Sequence, residues 1–414
     1  LKRALSLALA AIMLIGMMVV SACAVSYNDL TDKDQIVNKD AVSMLVSLGI
    51  IEGKPDGSYG PTENVDRAQM AKMLSVIMNK GVDNSALYQS VNSGLVDVNT
   101  NWAKGHINYC YTTGIIAGRG NGKFDPPATV TALEAAKMLL VAVGYDPKIE
   151  GFEGADWAIN VSVRADEQGI FEGFTKDLSA PLNRDDAALL IYNALDVEMI
   201  QSYTTNNYPI AYSDHRTILA DKYGVIKVQG VVVANEWASL ASDDGDAALK
   251  EGKTTIYNGE GIFSTTGNTT VSKEDASLKT QTFNVSTPVD MLGKTVNLYI
   301  KKTTILADST VYGDPVVSDV NTVVTTGETV LYSGAKDPQV DYDKLLGENG
   351  LTDKDAKYFW NYNSGKYIPN TTEKYGDKTA NVKGATLTII DNNGDGEVDY
   401  VLSVEKALAD ITSV

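Results

Sequence analysis

The sequence predicts a multidomain α + β protein: an N-terminal all-α half of three tandem repeats, then a C-terminal half that is mostly β, built as small barrel or sandwich domains. Two observations carry this. A glycine and a proline stand twelve positions apart three times: Gly49 to Pro61, Gly114 to Pro126 and Gly169 to Pro181. Each glycine opens an apolar step, Gly49-Ile50-Ile51, Gly114-Ile115-Ile116 and Gly169-Ile170-Phe171. A period of roughly 55–65 residues marks units that cannot bury a core alone and must stack on one another. The second observation is a change of composition near residue 200. Ser, Thr, Asn and Tyr rise, helical spacing fades, and β-branched runs bounded by Gly or Asn take over.

The whole chain sets bounds on function. Its 414 residues are 44% hydrophobic, enough for packed cores, and its formal charge is −18. That acidity disfavours nucleic acid as a partner, because a phosphate backbone demands a basic stripe. The first residues read as an export signal over 1–24. Lys2 and Arg3 precede an apolar run, Ala4 to Val20, and then Ser21-Ala22-Cys23-Ala24. The small residues fit cleavage after Ala24; the rival reading is a lipobox, Val20 to Cys23, with Cys23 lipidated. No second run is long and apolar enough to span a membrane. With Cys23 in or beside the signal, Cys110 remains the single cysteine of the mature chain, so no internal disulfide is expected.

The repeats are read as 25–80, 81–145 and 146–200. Within each, a first helix ends at the glycine, which is a natural helix stop. Ala41, Met44, Leu45 and Leu48 mark its buried face in repeat one; Ala103, Ile107, Cys110 and Tyr111 mark it in repeat two. Trp102 and Trp157 stand twelve residues before their glycines, where repeat one has Val37. A turn and one aromatic follow, Pro55-Asp56-Gly57-Ser58-Tyr59 and Asn121-Gly122-Lys123-Phe124, the aromatic plugging the core. Repeat three departs, with Gly173-Phe174.

The second helix starts at Asp66, Thr131 and Asn183, each an N-cap residue with Gln69, Glu134 or Asp186 three positions on to return a bond. Capping leaves Arg67 and Arg184 unexplained. A cation in a first helical turn opposes the helix dipole, but beside exposed N–H groups a guanidinium makes a receptor for carboxylates. Packing anchors for Trp102 and Trp157, and solvated ion pairs for the arginines, are the bland readings of the same residues. His106 reads as packed or surface, with no ligand cluster around it.

Together the Trp-Ala element, the Gly-Ile-Ile step, the Asp-Gly-x-aromatic turn and the Arg-Ala helix start resemble the surface-layer homology (SLH) domain, over about residues 27–200. The resemblance implies a pseudo-threefold assembly of three repeats. It implies noncovalent binding of an anionic secondary cell-wall polysaccharide, often carrying ketal-linked pyruvate, in grooves between repeats. The positions matching the family's binding residues are Asp29 and Arg67, Asp97 and Trp102, and Trp157 and Arg184. Ala132 in place of arginine, Val37 in place of tryptophan, and a segment three residues shorter between Pro181 and Arg184 leave at most two competent grooves.

Beyond a polar linker, 201–224, β regions are expected over 225–310 and 311–414. Strands are read at Val225–Val233, Thr295–Ile300, Thr329–Tyr332 and Ala385–Ile390, with short helices near Tyr342–Leu346 and Asp353–Tyr358. Asp391, Asn393, Asp395, Glu397 and Asp399, with Gly396 at the sixth position, resemble the start of a calcium loop. Leu402 at position twelve excludes a full EF-hand, and a hairpin turn is the competing reading. The turn Asp243-Asp244-Gly245-Asp246 is less specific. No other cofactor is expected. Catalytic signals are poor: His106 and His215 lack metal-ligand spacing, and there is no nucleophile elbow. The sequence thus reads as an exported, wall-anchored surface protein with an outward structural or adhesive β half and scope for self-association in a surface layer. The alternative is an anchored carbohydrate-active enzyme with two carboxylates in that half.

Overall fold

The computed structural model describes residues 27–240, 248–259, 279–301, 308–326, 339–340, 342–363, 366–369, 380–381 and 385–405. The expected signal peptide with Cys23, the strand at Thr329–Tyr332 and the Asp243–Asp246 turn lie outside them. The described chain divides into two units between Ala194 and Leu195.

The first unit is helical: α1 (Lys39–Ser47), α2 (Arg67–Met78), α3 (Lys104–Thr112), α4 (Ala132–Val143), α5 (Trp157–Glu167) and α6 (Arg184–Leu195). Odd-numbered helices are the first helices of the repeats. Each ends through its glycine, with φ of +69° at Gly49, +79° at Gly114 and +68° at Gly169. The next residue's N–H then returns to the last turn: Ile50 to Leu45 O, Ile115 to Cys110 O, Ile170 to Ala165 O. That left-handed stop is glycine's own conformation. The expected capping boxes form at Asp66/Gln69 and Thr131/Glu134. In repeat three Asn183 caps Asp186 N at 2.7 Å, while the Asp186 carboxylate turns to Lys176. The core faces are as read: Ala71, Leu74, Ile77, Leu139, Leu190, Ile191 and Ala194 are all buried.

Three backbone hydrogen bonds close the repeats into a ring. Val65 N donates to Leu182 O at 2.8 Å, Leu182 N to Val130 O at 2.8 Å, and Val130 N to Val65 O at 2.9 Å. Each even helix also docks its start on the loop of another repeat: Ala68 N on Pro126 O, Leu133 N on Leu178 O, Asp185 N on Pro61 O. This equivalence corrects the alignment of repeat three. The residue matching Pro61 and Pro126 is Leu178, not Pro181. The three missing residues therefore come out of the loop after Gly169, which also lacks the aromatic turn. Phe174 is only half-buried there, whereas Tyr59 is 2% and Phe124 0% exposed.

The second unit holds β1 (Ile200–Tyr203), β2 (Pro209–Ala211), β3 (Val225–Asn235), β4 (Thr254–Tyr257), β5 (Thr280–Phe283), β6 (Thr295–Lys301), β7 (Thr310–Val317) and β8 (Thr322–Thr325). After these come β9 (Gln339–Val340), α7 (Tyr342–Glu348), β10 (Lys357–Asn363), β11 (Lys366–Pro369), β12 (Ala380–Asn381), β13 (Ala385–Asp391) and β14 (Tyr400–Glu405). The stretch expected as a linker instead pairs β1 with β2 and ends in a π-helical turn, Leu219–Tyr223. One five-stranded sheet runs β5-β4-β3-β6-β7; the other runs β11-β10-β14-β13-β8, with β10 and β14 parallel. Among the described residues neither closes into a barrel.

Alternation along β13 and β14 explains how the second sheet is covered. Ile390, Tyr400 and Leu402 join Val228, Ile256 and Leu298 of the first sheet in one core. Leu387, Ile389 and Val401 point the other way and pack with Tyr342 and Leu346 of α7. The regions 225–310 and 311–414, expected as one or two small β domains, share an apolar core, and the boundary at residue 310 falls on the first residue of β7. The helix expected at Asp353–Tyr358 is absent. Asp353 turns the chain by accepting Ala356 N, and Tyr358-Phe359-Trp360 are strand residues that pair with β14.

Candidate functional site

The junctions between repeats gather the charged and aromatic residues of the first unit. Arg67, at the start of α2, reaches into the loop of repeat two. Its Nε donates to Phe124 O at 2.8 Å and an Nη to Ala117 O at 2.9 Å, while the guanidinium lies 4.4 Å above the Phe124 ring. Arg184, at the start of α6, does the same in repeat one. Its Nε donates to Tyr59 O at 2.8 Å, an Nη points to Glu52 O at 3.4 Å, and the ring beneath is Tyr59 at 4.7 Å. The third equivalent position holds Ala132, fully buried. Two of the three junctions therefore carry a guanidinium seated on an aromatic of the next module.

The two arginines differ in access. Arg67 is 4% exposed. Burial, with Arg119 close by, lowers its pKa, and Glu134 at 3.8 Å works against that shift. Glu134 is itself held by Arg119 at 2.8 Å. Arg184 is half-buried. At its junction Asp185 receives the N–H groups of Val37 and Asn38, at 3.3 and 3.2 Å, and so fixes the start of α1. Burial raises the Asp185 pKa, and those two N–H groups pull it back.

Asp97 does not point to open solvent. Its two oxygens accept Phe124 N at 2.9 Å and Asp125 N at 2.8 Å. Burial opposes ionisation there, but these bonds leave its pKa lowered. The matching residue in repeat one is Asp32, which accepts Tyr59 N at 2.7 Å and Gly60 N at 2.8 Å. Asp29 sits instead in an exposed 3₁₀ turn, Tyr27–Asp29. The signal for Asp32 was present in the spacing: it stands 27 residues before Tyr59, as Asp97 stands 27 before Phe124.

Trp102 is 58% exposed, its ring edge-on to His106 at 6.3 Å. Val37, its counterpart, is 81% exposed. Trp157 is half-buried, with Lys137 Nζ 5.7 Å over its ring. The tryptophans are thus not central core anchors. His106 is packed, with Nδ1 2.6 Å from Ser75 Oγ and Nε2 3.7 Å from Asp83.

The acidic loop in the second unit joins β13 to β14. Asp391 accepts Gly394 N at 2.7 Å and Gly396 N at 2.9 Å, Asn393 accepts Asp395 N, and Asp395 accepts Glu397 N. Asp399 receives Asn392 N, and Glu397 pairs with Lys354. Among the described residues no group of three His, Cys, Asp or Glu side chains is placed to hold a metal ion.

Residues 26–71 and 96–136 match the S-layer homology domain. The chain is 29% identical over 253 residues to a cell surface protein of Thermoanaerobacter kivui, covering 60% of this chain and 30% of that one. It is 34% identical over 113 residues to an S-layer protein of Bacillus licheniformis, covering 27% and 12%. An exoglucanase, XynX, of Acetivibrio thermocellus is 28% identical over 188 residues, 42% of this chain and 16% of the enzyme. The chain thus spans less than a third of each of these relatives. Likeness over 60% of its length exceeds the 194 residues of the first unit, so it extends into the β-rich half. Among the described residues, no helix is long and apolar enough to cross a membrane.

Proposed function

We propose that this is a cell-surface protein held noncovalently on an anionic, pyruvate-bearing wall polysaccharide by three SLH repeats, the third being residues 146–200. The observation that carries the reading is the paired geometry of Arg67 and Arg184, each set on an aromatic of the next repeat. The ring of hydrogen bonds through Val65, Val130 and Leu182 supports a third repeat equivalent to the two matched ones. Arg184 and the exposed Trp102 are the groups with surface to offer a sugar acid: a guanidinium for the carboxylate, an indole face for the ring. Arg67 closes its junction and tunes it through Glu134. The β half faces outward as a structural or adhesive region and supports lateral association in a surface layer. The likeness to proteins named for the cell surface and the S-layer supports the location.

The test is co-sedimentation of the full chain with purified wall sacculi, with and without their pyruvate substituents. Wild type should pellet only with the pyruvylated walls. Arg184→Ala combined with Trp102→Ala should lose at least about tenfold in affinity, about 1.4 kcal/mol. Wild-type retention by that folded double variant rejects the junctions as the binding sites.

A further inference from the structure

Lys72 and Lys137 take one position in two repeats, the sixth residue of α2 and of α4. Each of these helices packs on the first helix of the following repeat, α3 or α5. Trp102 stands just before α3, and Trp157 opens α5. In α6 the sixth residue is Leu189. The Asp185 carboxylate joins α6 to Val37 and Asn38 of repeat one, where Val37 fills the tryptophan position. Lysine and tryptophan thus occur together at two junctions, and both are replaced at the third.

The two lysines meet different surroundings. Lys72 Nζ lies 3.4 Å from the Glu52 carboxylate. Glu52 is also the residue whose carbonyl faces Arg184. Glu52 is third after Gly49; third after Gly114 is Ala117, whose carbonyl takes the Arg67 bond. Lys137 therefore has no acid where Lys72 has one. Its Nζ lies instead 5.7 Å over the Trp157 ring, and among the described residues it makes no hydrogen bond or ion pair. Glu134, one turn earlier on α4, is held by Arg119 and lies 3.8 Å from Arg67. Lys137 is half-buried. Burial lowers its pKa; Glu153 opposes that shift and Arg67 adds to it. An ammonium drawn out of water without an anion is costly, and a ring face alone compensates weakly.

An anion at this place completes the set. We infer that Lys137 and Trp157 form a second site for an acidic sugar, at the junction that Arg67 closes, and that Ala117 is what frees the lysine for it. The inference rests on the wall-binding reading and adds to it a cation that is not an arginine. The ligand's carboxylate takes the ammonium, and Lys137 leaves the indole face to the pyranose ring. Arg67, enclosed and bonded to two carbonyls, holds the loop beneath and does not touch the sugar. At the Arg184 junction Glu52 neutralises Lys72, so the guanidinium carries the charge there. A polymer with repeated acid groups can engage both junctions at once, so losing either weakens its hold.

The experiment is co-sedimentation of the full chain with pyruvylated wall sacculi and with sacculi stripped of pyruvate, alongside thermal melts of each variant. Ala117 and Glu52 are both exposed, so Ala117→Glu and Glu52→Ala change the charge without disturbing the core. Ala117→Glu should weaken binding to the pyruvylated walls about fivefold, by giving Lys137 the acid that Lys72 has. Lys137→Met should weaken it about as much and melt no lower than wild type, since it removes a desolvated charge. Glu52→Ala should tighten binding by freeing Lys72. With stripped walls all three should behave as wild type. The inference is overturned if Ala117→Glu or Lys137→Met binds as wild type does, or if Glu52→Ala binds no more tightly. A Lys137→Met protein that melts well below wild type overturns it too, since the lysine would then serve the fold. If wild type itself fails to pellet with pyruvylated walls, the wall-binding reading falls first, and this site with it.

Discussion

At the scale of single residues, Arg67 and Arg184 occupy one position in two repeats and carry different shares of stability. Arg67 is buried and donates to two carbonyls of repeat two, so Arg67→Ala leaves Phe124 O and Ala117 O without their donor. A loss of about 2–4 kcal/mol is expected, against about 1 kcal/mol for the half-buried Arg184→Ala. Urea unfolding of the two variants checks the order. His106 gives a pH signature. Burial lowers its pKa, Lys72 adds to that, and Asp83 opposes it. The fold therefore prefers the neutral ring, and the unfolded chain takes up the proton first as pH drops below about 6.5. Stability should fall from about pH 7 to about pH 5 more steeply in wild type than in His106→Asn, followed by thermal melts.

At the scale of elements, the helix stops and capping boxes follow from local chemistry, and both were legible in the sequence. Gly105 was not. It sits inside α3, where propensity favours alanine by about 1 kcal/mol. A Cβ there would lie 2.1 Å from Ser85 O, because α3 packs directly on the Ser85–Tyr88 turn. Overlap with backbone outweighs propensity, so Gly105→Ala should destabilise by about 2 kcal/mol or more, read from its urea midpoint. The error at Pro181 has the same origin. A spacing counted along the chain cannot tell which proline docks on a neighbouring helix; the contact of Leu133 N with Leu178 O decides it. The helix read at Asp353–Tyr358 failed because β14 supplied a parallel partner about forty residues away in the chain, and tertiary pairing overrides weak propensity.

At the scale of the whole molecule, the three repeats share one ring, so none has a complete core alone. A fragment of residues 27–145 should lose the bonds from Leu182 and the contacts of α6, and unfold without a sharp transition. A fragment of residues 27–194 should melt cooperatively; calorimetry of the pair separates the outcomes. By itself the sequence determined what depends on near neighbours and periodicity: the repeat, the apolar faces, the caps, the glycine stops, the main strands and the choice of Arg67 and Arg184 as unusual. Only the tertiary structure decided that Arg67 is enclosed and Arg184 accessible, that Leu178 rather than Pro181 matches Pro61 and Pro126, and that the β regions share a core. These depend on groups tens to more than a hundred residues apart meeting in space, and burial, unlike helix capping, is a property of what surrounds a residue rather than of what adjoins it.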